Sequence, residues 1–279
     1  MTVPPLGFGT AAIMGRVSRR RGLAALERAH AAGIRHFDTA RSYGWGEAER
    51  VVGTFLRGHA REDIRLVTKC GIVPVRRSPM LQAAKAMGRL ALSLAPGLRA
   101  RGRQIATSTS FRPTHAADPE ALAASLRTSL GELGVSYVDV LLLHNFSPGM
   151  VRLEEVVTWF AGLKQAGVIR QYGFSVEGDL KEGLSFLARQ NLLADAVIQA
   201  PVSDAMLDLP KEWRDVPIIA HSPFEFLRAQ SPITPFASIT SFADLLRALG
   251  ETCRCEALVC SMFSPGHLAA NVEAWRKSK

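Results

Sequence analysis

The chain has 279 residues, 47% hydrophobic and 21% charged, which is enough to bury a full core and too apolar for a disordered chain. No apolar run reaches the roughly 18 residues of a membrane span, and no basic residue precedes Arg16, so neither membrane insertion nor a secretory leader is expected. Four cysteines, Cys70, Cys253, Cys255 and Cys260, are too few for a disulfide scaffold. Cys253-x-Cys255 lacks the second pair that zinc needs, so no metal site is expected. Reduced thiols in a cytoplasmic protein are the expectation. The net charge of +9 is concentrated between Gly71 and Ala117, where eight Lys/Arg stand with no Asp or Glu. That segment holds a single aromatic, Phe111, where a nucleic-acid surface would interleave several, so no nucleic-acid partner is expected.

Short β-type runs alternate with longer helical patterns. Leu6–Thr10 is a glycine-broken apolar start. Ser18–Ala32 has helical spacing at Leu23, Leu26 and Ala29 and stops at Gly33. Ile34–Asp38 reads as a strand, Glu47–Leu56 as a helix and Ile64–Lys69 as a strand. Residues 71–117 form a basic insert, inside which Met80–Leu94 carries a helical stripe. Asp118-Pro119-Glu120 is a helix start, with an N-cap, a proline at the first helical position and an acid in the first turn. Val138–Leu143 is the continuous apolar run of a strand buried on both faces. Helix Leu153–Gln165, strand Val168–Phe174, helix Leu180–Gln190, strand Ala196–Gln199 and strand Val216–Ala220 follow. Helix Phe242–Leu249, strand Ala257–Cys260 and helix Pro265–Arg276 end the series. Pro201–Arg214 has no clear pattern. Eight strands alternating with helices over this length predict an α/β fold, a (β/α)8 barrel forming one domain over residues 1–279, with the basic insert after strand 3. No G-x-G-x-x-G follows the first strand, which argues against a doubly wound sheet.

Barrels of this kind place function at the C-terminal ends of their strands. The second strand ends at Asp38, and Tyr43 follows five residues later. The third ends at Lys69 and the fourth at His144. A lone strand-end Asp caps turns, a lone Lys snorkels and a lone His packs in cores. Three such residues on consecutive strands beside a Tyr point instead to proton delivery. A free phenol titrates near ~10, too high for an efficient acid, and a neighbouring ammonium is expected to lower that value. An Asp paired with the Lys would fix it, and a His would orient a carbonyl oxygen. Such a set stabilises an alkoxide forming from a carbonyl. No side chain supplies a hydride, so the reductant must be a cofactor.

Gly7-Phe8-Gly9-Thr10, FDTARSYGWGEAERVVG at 37–53, VTKCG at 67–71, DVLLLH at 139–144, YGFS at 172–175 and HSPF at 221–224 together resemble the aldo-keto reductase family. The resemblance implies NADPH-driven reduction of a small aldehyde or ketone, with NADH as the alternative cofactor. It implies a tetrad of Asp38, Tyr43, Lys69 and His144, with Tyr43 as the general acid. It places Gly9, Thr10 and Asp38 beside the cofactor, and Ser175 and Gln199 on the nicotinamide carboxamide. Val176 stands where the family often has Asn, and His221 where an aromatic commonly stacks on the nicotinamide. Ser222, Pro223 and Phe224 would follow the pyrophosphate. CSMFSPGHLAAN at 260–271 resembles the adenosine-phosphate loop, with Ser261, Ser264 and His267 on the phosphate and Asn271 at adenine. No Lys or Arg stands on that loop. The alternative from another class is a catalytically weak barrel that uses cofactor occupancy as a sensor or a binding scaffold.

Overall fold

The computed structural model describes residues 5–72, 74, 118–148, 150, 152–176, 178–229, 239, 241–252 and 255–277. The expected helix at Met80–Leu94 and the basic residues of the insert lie outside them. Eight parallel strands close on themselves in chain order: β1 Leu6–Gly9, β2 His36–Asp38, β3 Arg65–Cys70, β4 Val138–Phe146, β5 Ile169–Val176, β6 Ala196–Pro201, β7 Ile218–His221 and β8 Ala257–Cys260. β1 closes the ring against β8, pairing Gly7 with Val259. The longer helices between them are α1 Arg19–Ala31, α2 Ala48–Leu56, α3 Pro119–Leu133, α4 Leu153–Gln165 and α5 Leu180–Arg189. After β6 come α6 Asp204–Leu207, α7 Pro223–Ala229, α8 Phe242–Thr252 and α9 Pro265–Arg276. The described residues therefore form a (β/α)8 barrel.

Strand alternation divides the core in two. Val67, Val140, Leu142, Val197, Ile219, Ala257 and Val259 cluster separately from the larger core that includes Phe8, Phe37, Leu66, Leu141 and Phe174. On β3, Val67 belongs to the small cluster and Leu66 to the large one, so alternate side chains fill the barrel and the layer beneath the helices. Lys69, two residues beyond Val67, thus projects into the barrel, and Thr68 projects outward. Local chemistry sets the helix ends. Asp118 accepts a hydrogen bond from the Ala121 amide at the start of α3, and Gly134 ends it at φ +68°. Asp179 caps α5 through the Glu182 amide.

Three strands run further than the sequence suggests. β4 continues through His144 to Phe146, with its register shifting between Leu143 and Phe146 and Asn145 at φ +54°. β5 continues to Val176 and β6 to Pro201. His144, Ser175 and Gln199 therefore sit inside strands rather than closing them. The unpatterned stretch Pro201–Arg214 holds α6 and a 3-10 turn at Lys211–Trp213. Pro223 opens α7, an element the sequence reading missed. The rim turn Tyr43–Gly46 is a distorted 3-10 turn, with Gly44, Trp45 and Gly46 at φ of 57°, 66° and 88°.

Candidate active site

Asp38, Tyr43 and Lys69 meet at the C-terminal rim of β2 and β3. The Lys69 ammonium donates to Asp38 Oδ1 at 2.7 Å, to the Thr39 carbonyl at 3.0 Å and to the Tyr43 hydroxyl at 3.2 Å. The pair is buried, with side-chain exposures of 1% and 6% for Lys69 and Asp38. Gln199 Nε2 donates to the other Asp38 oxygen, Oδ2, at 2.7 Å. Asp38 is thus held from β3 and from β6. Its backbone carbonyl accepts from the Thr10 amide at 3.0 Å and from the Thr10 hydroxyl at 2.9 Å, so Thr10 is committed to fixing the end of β2.

The sequence reading put Lys69 in control of the Tyr43 acidity, and the structure reverses the balance. Burial pushes the phenol above its usual value by more than the Lys69 ammonium pulls it down. Burial pulls Lys69 down, but Asp38 and the Tyr43 phenol together outweigh it and leave its pKa raised. Tyr43 is accordingly a phenol and Lys69 an ammonium at neutral pH. That is the protonation state a proton donor needs.

His144 stands edge-on to Tyr43, with ring centroids 5.8 Å apart and an interplanar angle of 81°. Its Nδ1 shares a hydrogen bond with Ser42 Oγ at 3.3 Å. Burial, reinforced by Lys69, lowers its pKa to about 3, so the imidazole is neutral. With Nδ1 turned to Ser42, Nε2 is the nitrogen left to meet another group. His221, at the end of β7, is held neutral in the same way, its pKa lowered by burial to about 4. Its Nδ1 shares a hydrogen bond with Ser222 Oγ at 3.0 Å, and Ser222 takes the left-handed φ of 56°. Phe224 is 54% exposed and meets Phe242 edge to face.

Two features bear on a dinucleotide. Ser175 donates to Gln199 Oε1 at 3.5 Å, a long contact between buried side chains. An amide oxygen and a hydroxyl so loosely paired suit the donor and acceptor of a carboxamide. At the other end, Ser264 is the N-cap of α9 with extended φ, yet its side chain makes no capping hydrogen bond. The first-turn amides are therefore not taken by their own cap, and a Cβ built on Gly266 meets nothing within 4 Å. Ser261 donates to the Gly9 carbonyl at 3.4 Å, His267 is exposed and Asn271 is buried. The residues present fit such a group. Among the described residues no His, Cys, Asp and Glu are grouped to hold a metal, and no helix is long and apolar enough to cross a membrane.

The sequence reading missed Ser42, the Thr39 carbonyl, Arg41 and Glu49. Ser42 and Thr39 carry no signal of their own. Glu49 does, because it shares the buried face of α2 with Val52, Gly53 and Leu56, and an acid in an apolar stripe is an anomaly.

Known proteins resemble the chain over most of its length. It is 28% identical over 181 residues to the NADH-specific methylglyoxal reductase of Escherichia coli strain K12, covering 62% of this chain and 48% of that protein. It is 33% identical over 145 residues to the uncharacterized oxidoreductase YcsN of Bacillus subtilis strain 168, covering 51% of this chain and 39% of that protein. The chain thus spans about half, or less, of the length of these curated relatives. Among solved structures, an aldo/keto reductase from Klebsiella pneumoniae in complex with NADP and acetate superposes with a TM-score of 0.67. It is 25% identical, with 98% of this chain and 86% of that one covered. Glycerol dehydrogenase from Gluconobacter oxydans shares the fold at a TM-score of 0.69 and 17% identity, over 97% of this chain and 86% of that one. The aldo/keto reductase family model matches residues 5–230, and the chain belongs to that family.

Proposed function

We propose that the protein reduces an aldehyde or ketone to an alcohol, with Tyr43 giving the proton. The observation that carries this reading is the Asp38–Lys69–Tyr43 chain at 2.7 and 3.2 Å, which holds a protonated phenol against a fixed ammonium. NADPH, when bound, supplies the hydride. Ser175 and Gln199 would hold its carboxamide, and the amides and hydroxyls from Ser261 to Ser264 its adenosine phosphate. The His144 imidazole, neutral and oriented by Ser42, donates to the carbonyl oxygen and positions it. Tyr43 delivers its proton as negative charge develops on that oxygen. Lys69 stabilises the resulting phenolate, and Asp38 keeps Lys69 charged and in place. His221 offers a neutral ring where a flat aromatic face is wanted.

NADPH is favoured over NADH by the open α9 terminus, which attracts an extra phosphate. With no Lys or Arg from Ser261 to Asn271, that attraction is about 0.3–1 kcal/mol, a preference of no more than about five-fold. Titration of the protein with each cofactor by fluorescence quenching, followed by cofactor consumption over a panel of small aldehydes and ketones, tests both points. Tighter binding of NADPH and its oxidation by at least one carbonyl are expected. Cofactor binding without turnover of any carbonyl would favour a sensor or scaffold instead.

A further inference from the structure

We infer that Glu49 is a positioning residue, one carboxylate that ties the turn carrying Tyr43 to the strand carrying Lys69. The inference rests on the reading of Tyr43 as proton donor. Glu49 is 0% exposed, on the buried face of α2, from which it reaches Thr68 of β3 and Ser129 of α3. Its Oε1 accepts from Thr68 Oγ1 at 2.7 Å, and its Oε2 accepts from Ser129 Oγ of α3 at 3.0 Å. The Arg41 guanidinium lies 3.8 Å from Oε2. Arg41 in turn donates to the Gly46 carbonyl at 3.1 Å, closing the turn that begins at Tyr43. Its backbone amide donates to the Lys69 carbonyl at 3.3 Å.

Each link has a consequence. Thr68 and Lys69 are adjacent on β3 and project to opposite faces, so a bond that fixes Thr68 outside the barrel fixes the azimuth of Lys69 inside it. Arg41 fills the hollow of the turn. A Cβ on Gly46 would lie 2.7 Å from its guanidinium, and Gly46 at φ +88° takes a conformation that side chains rarely adopt. The Lys69–Tyr43 separation of 3.2 Å is therefore set by two arms that start at one carboxylate. A leucine at this position would fill the same stripe without desolvating a charge, so packing alone does not account for the acid. Burial pushes the Glu49 carboxyl upward, against the pull of the Thr68 and Ser129 hydroxyls and of Arg41. Glu132 on α3 adds a further upward push.

Two variants and a conservative rescue test this. Glu49→Gln keeps hydrogen-bonding capacity toward the hydroxyls and removes the charge facing Arg41. Thr68→Val cuts only the arm to β3, and Thr68→Ser restores it. The activity readouts are kcat, KM and the Kd for NADPH, with a small aldehyde as substrate. The second readout needs no turnover. The chain has three tyrosines, so the Cζ carbon resonance of Tyr43 in tyrosine-labelled protein can be assigned by its loss in Tyr43→Phe. For Glu49→Gln, kcat should fall about ten-fold or more, with KM and the NADPH Kd within two-fold. The Tyr43 resonance should move while those of Tyr137 and Tyr172 stay. Thr68→Val should show a smaller change in the same direction, and Thr68→Ser should reverse it. If Glu49→Gln does not fold, the Thr68 pair decides alone. An unmoved Tyr43 resonance, or an unchanged kcat, in a folded variant overturns the inference. If Tyr43→Phe itself retains turnover, the proposed function fails, and the resonance still reports whether Glu49 sets the environment of the phenol.

Discussion

Lys69 touches three oxygens, and each does a different thing. Asp38 keeps it charged, the Thr39 carbonyl fixes its direction, and the Tyr43 hydroxyl oxygen accepts its third N–H hydrogen bond. Around this centre both imidazoles are neutral, His144 with a pKa lowered to about 3 and His221 to about 4. A histidine held this low does not change charge between about pH 5 and 8, where an unperturbed one would. The pH profile of kcat should therefore show no limb near pH 6.5. A limb there that disappears in His144→Gln would contradict the neutral-donor role. That Asp38, Tyr43, Lys69 and His144 would meet at one rim was legible from their places at consecutive strand ends. Their balance was not. Burial outweighs Lys69 at Tyr43, and burial is a property of the closed barrel that residue spacing does not carry.

Element boundaries follow the apolar patterns closely where those patterns are complete. Leu153–Gln165, Ala257–Cys260 and Pro265–Arg276 agree at both ends with the sequence reading. Boundaries drift where polar functional residues enter a strand. The apolar run of β4 ends at Leu143, yet the backbone stays extended through His144 and reaches Phe146 beyond a left-handed Asn145. The register shift there is what lets an apolar strand present an imidazole at the rim. The segment after β7 was opaque because Pro223-Phe-Glu-Phe-Leu is too short for its helical period to show. At Gly53 the helices α2 and α3 meet so closely that a Cβ would lie 2.3 Å from the Glu132 carbonyl. That approach brings Ser129 onto Glu49, a contact visible in the sequence only as an acid in the wrong place.

Across the whole molecule the barrel holds three neutral histidines, His36 buried and His144 and His221 half-buried at the rim. His36 lies one strand position pair below Asp38, its pKa lowered to about 4 by burial first and then by Arg65. Both its ring nitrogens are buried without a protein partner. His36, His144 and His221 all have folded-state pKa values below the usual 6.5. Well above pH 6.5 neither folded nor unfolded chain protonates these rings, and no stability is at stake. As pH falls below 6.5 the unfolded chain takes up protons that the folded chain does not, so stability falls. The loss is up to about 1.4 kcal/mol per pH unit for each histidine. Denaturant midpoints should drop steadily from pH 6.5 to 5, above the range where most carboxylates titrate. A midpoint that is flat over that window would show that these rings gain partners the protein itself does not provide.

Whether Tyr43 donates the proton is decided by Tyr43→Phe. The substitution keeps the ring against His144 and removes only the hydroxyl. Single-turnover oxidation of NADPH by an accepted aldehyde should slow by about 10²-fold or more, with the Kd for NADPH unchanged. Oxidation at the wild-type rate in Tyr43→Phe would mean that another group gives the proton.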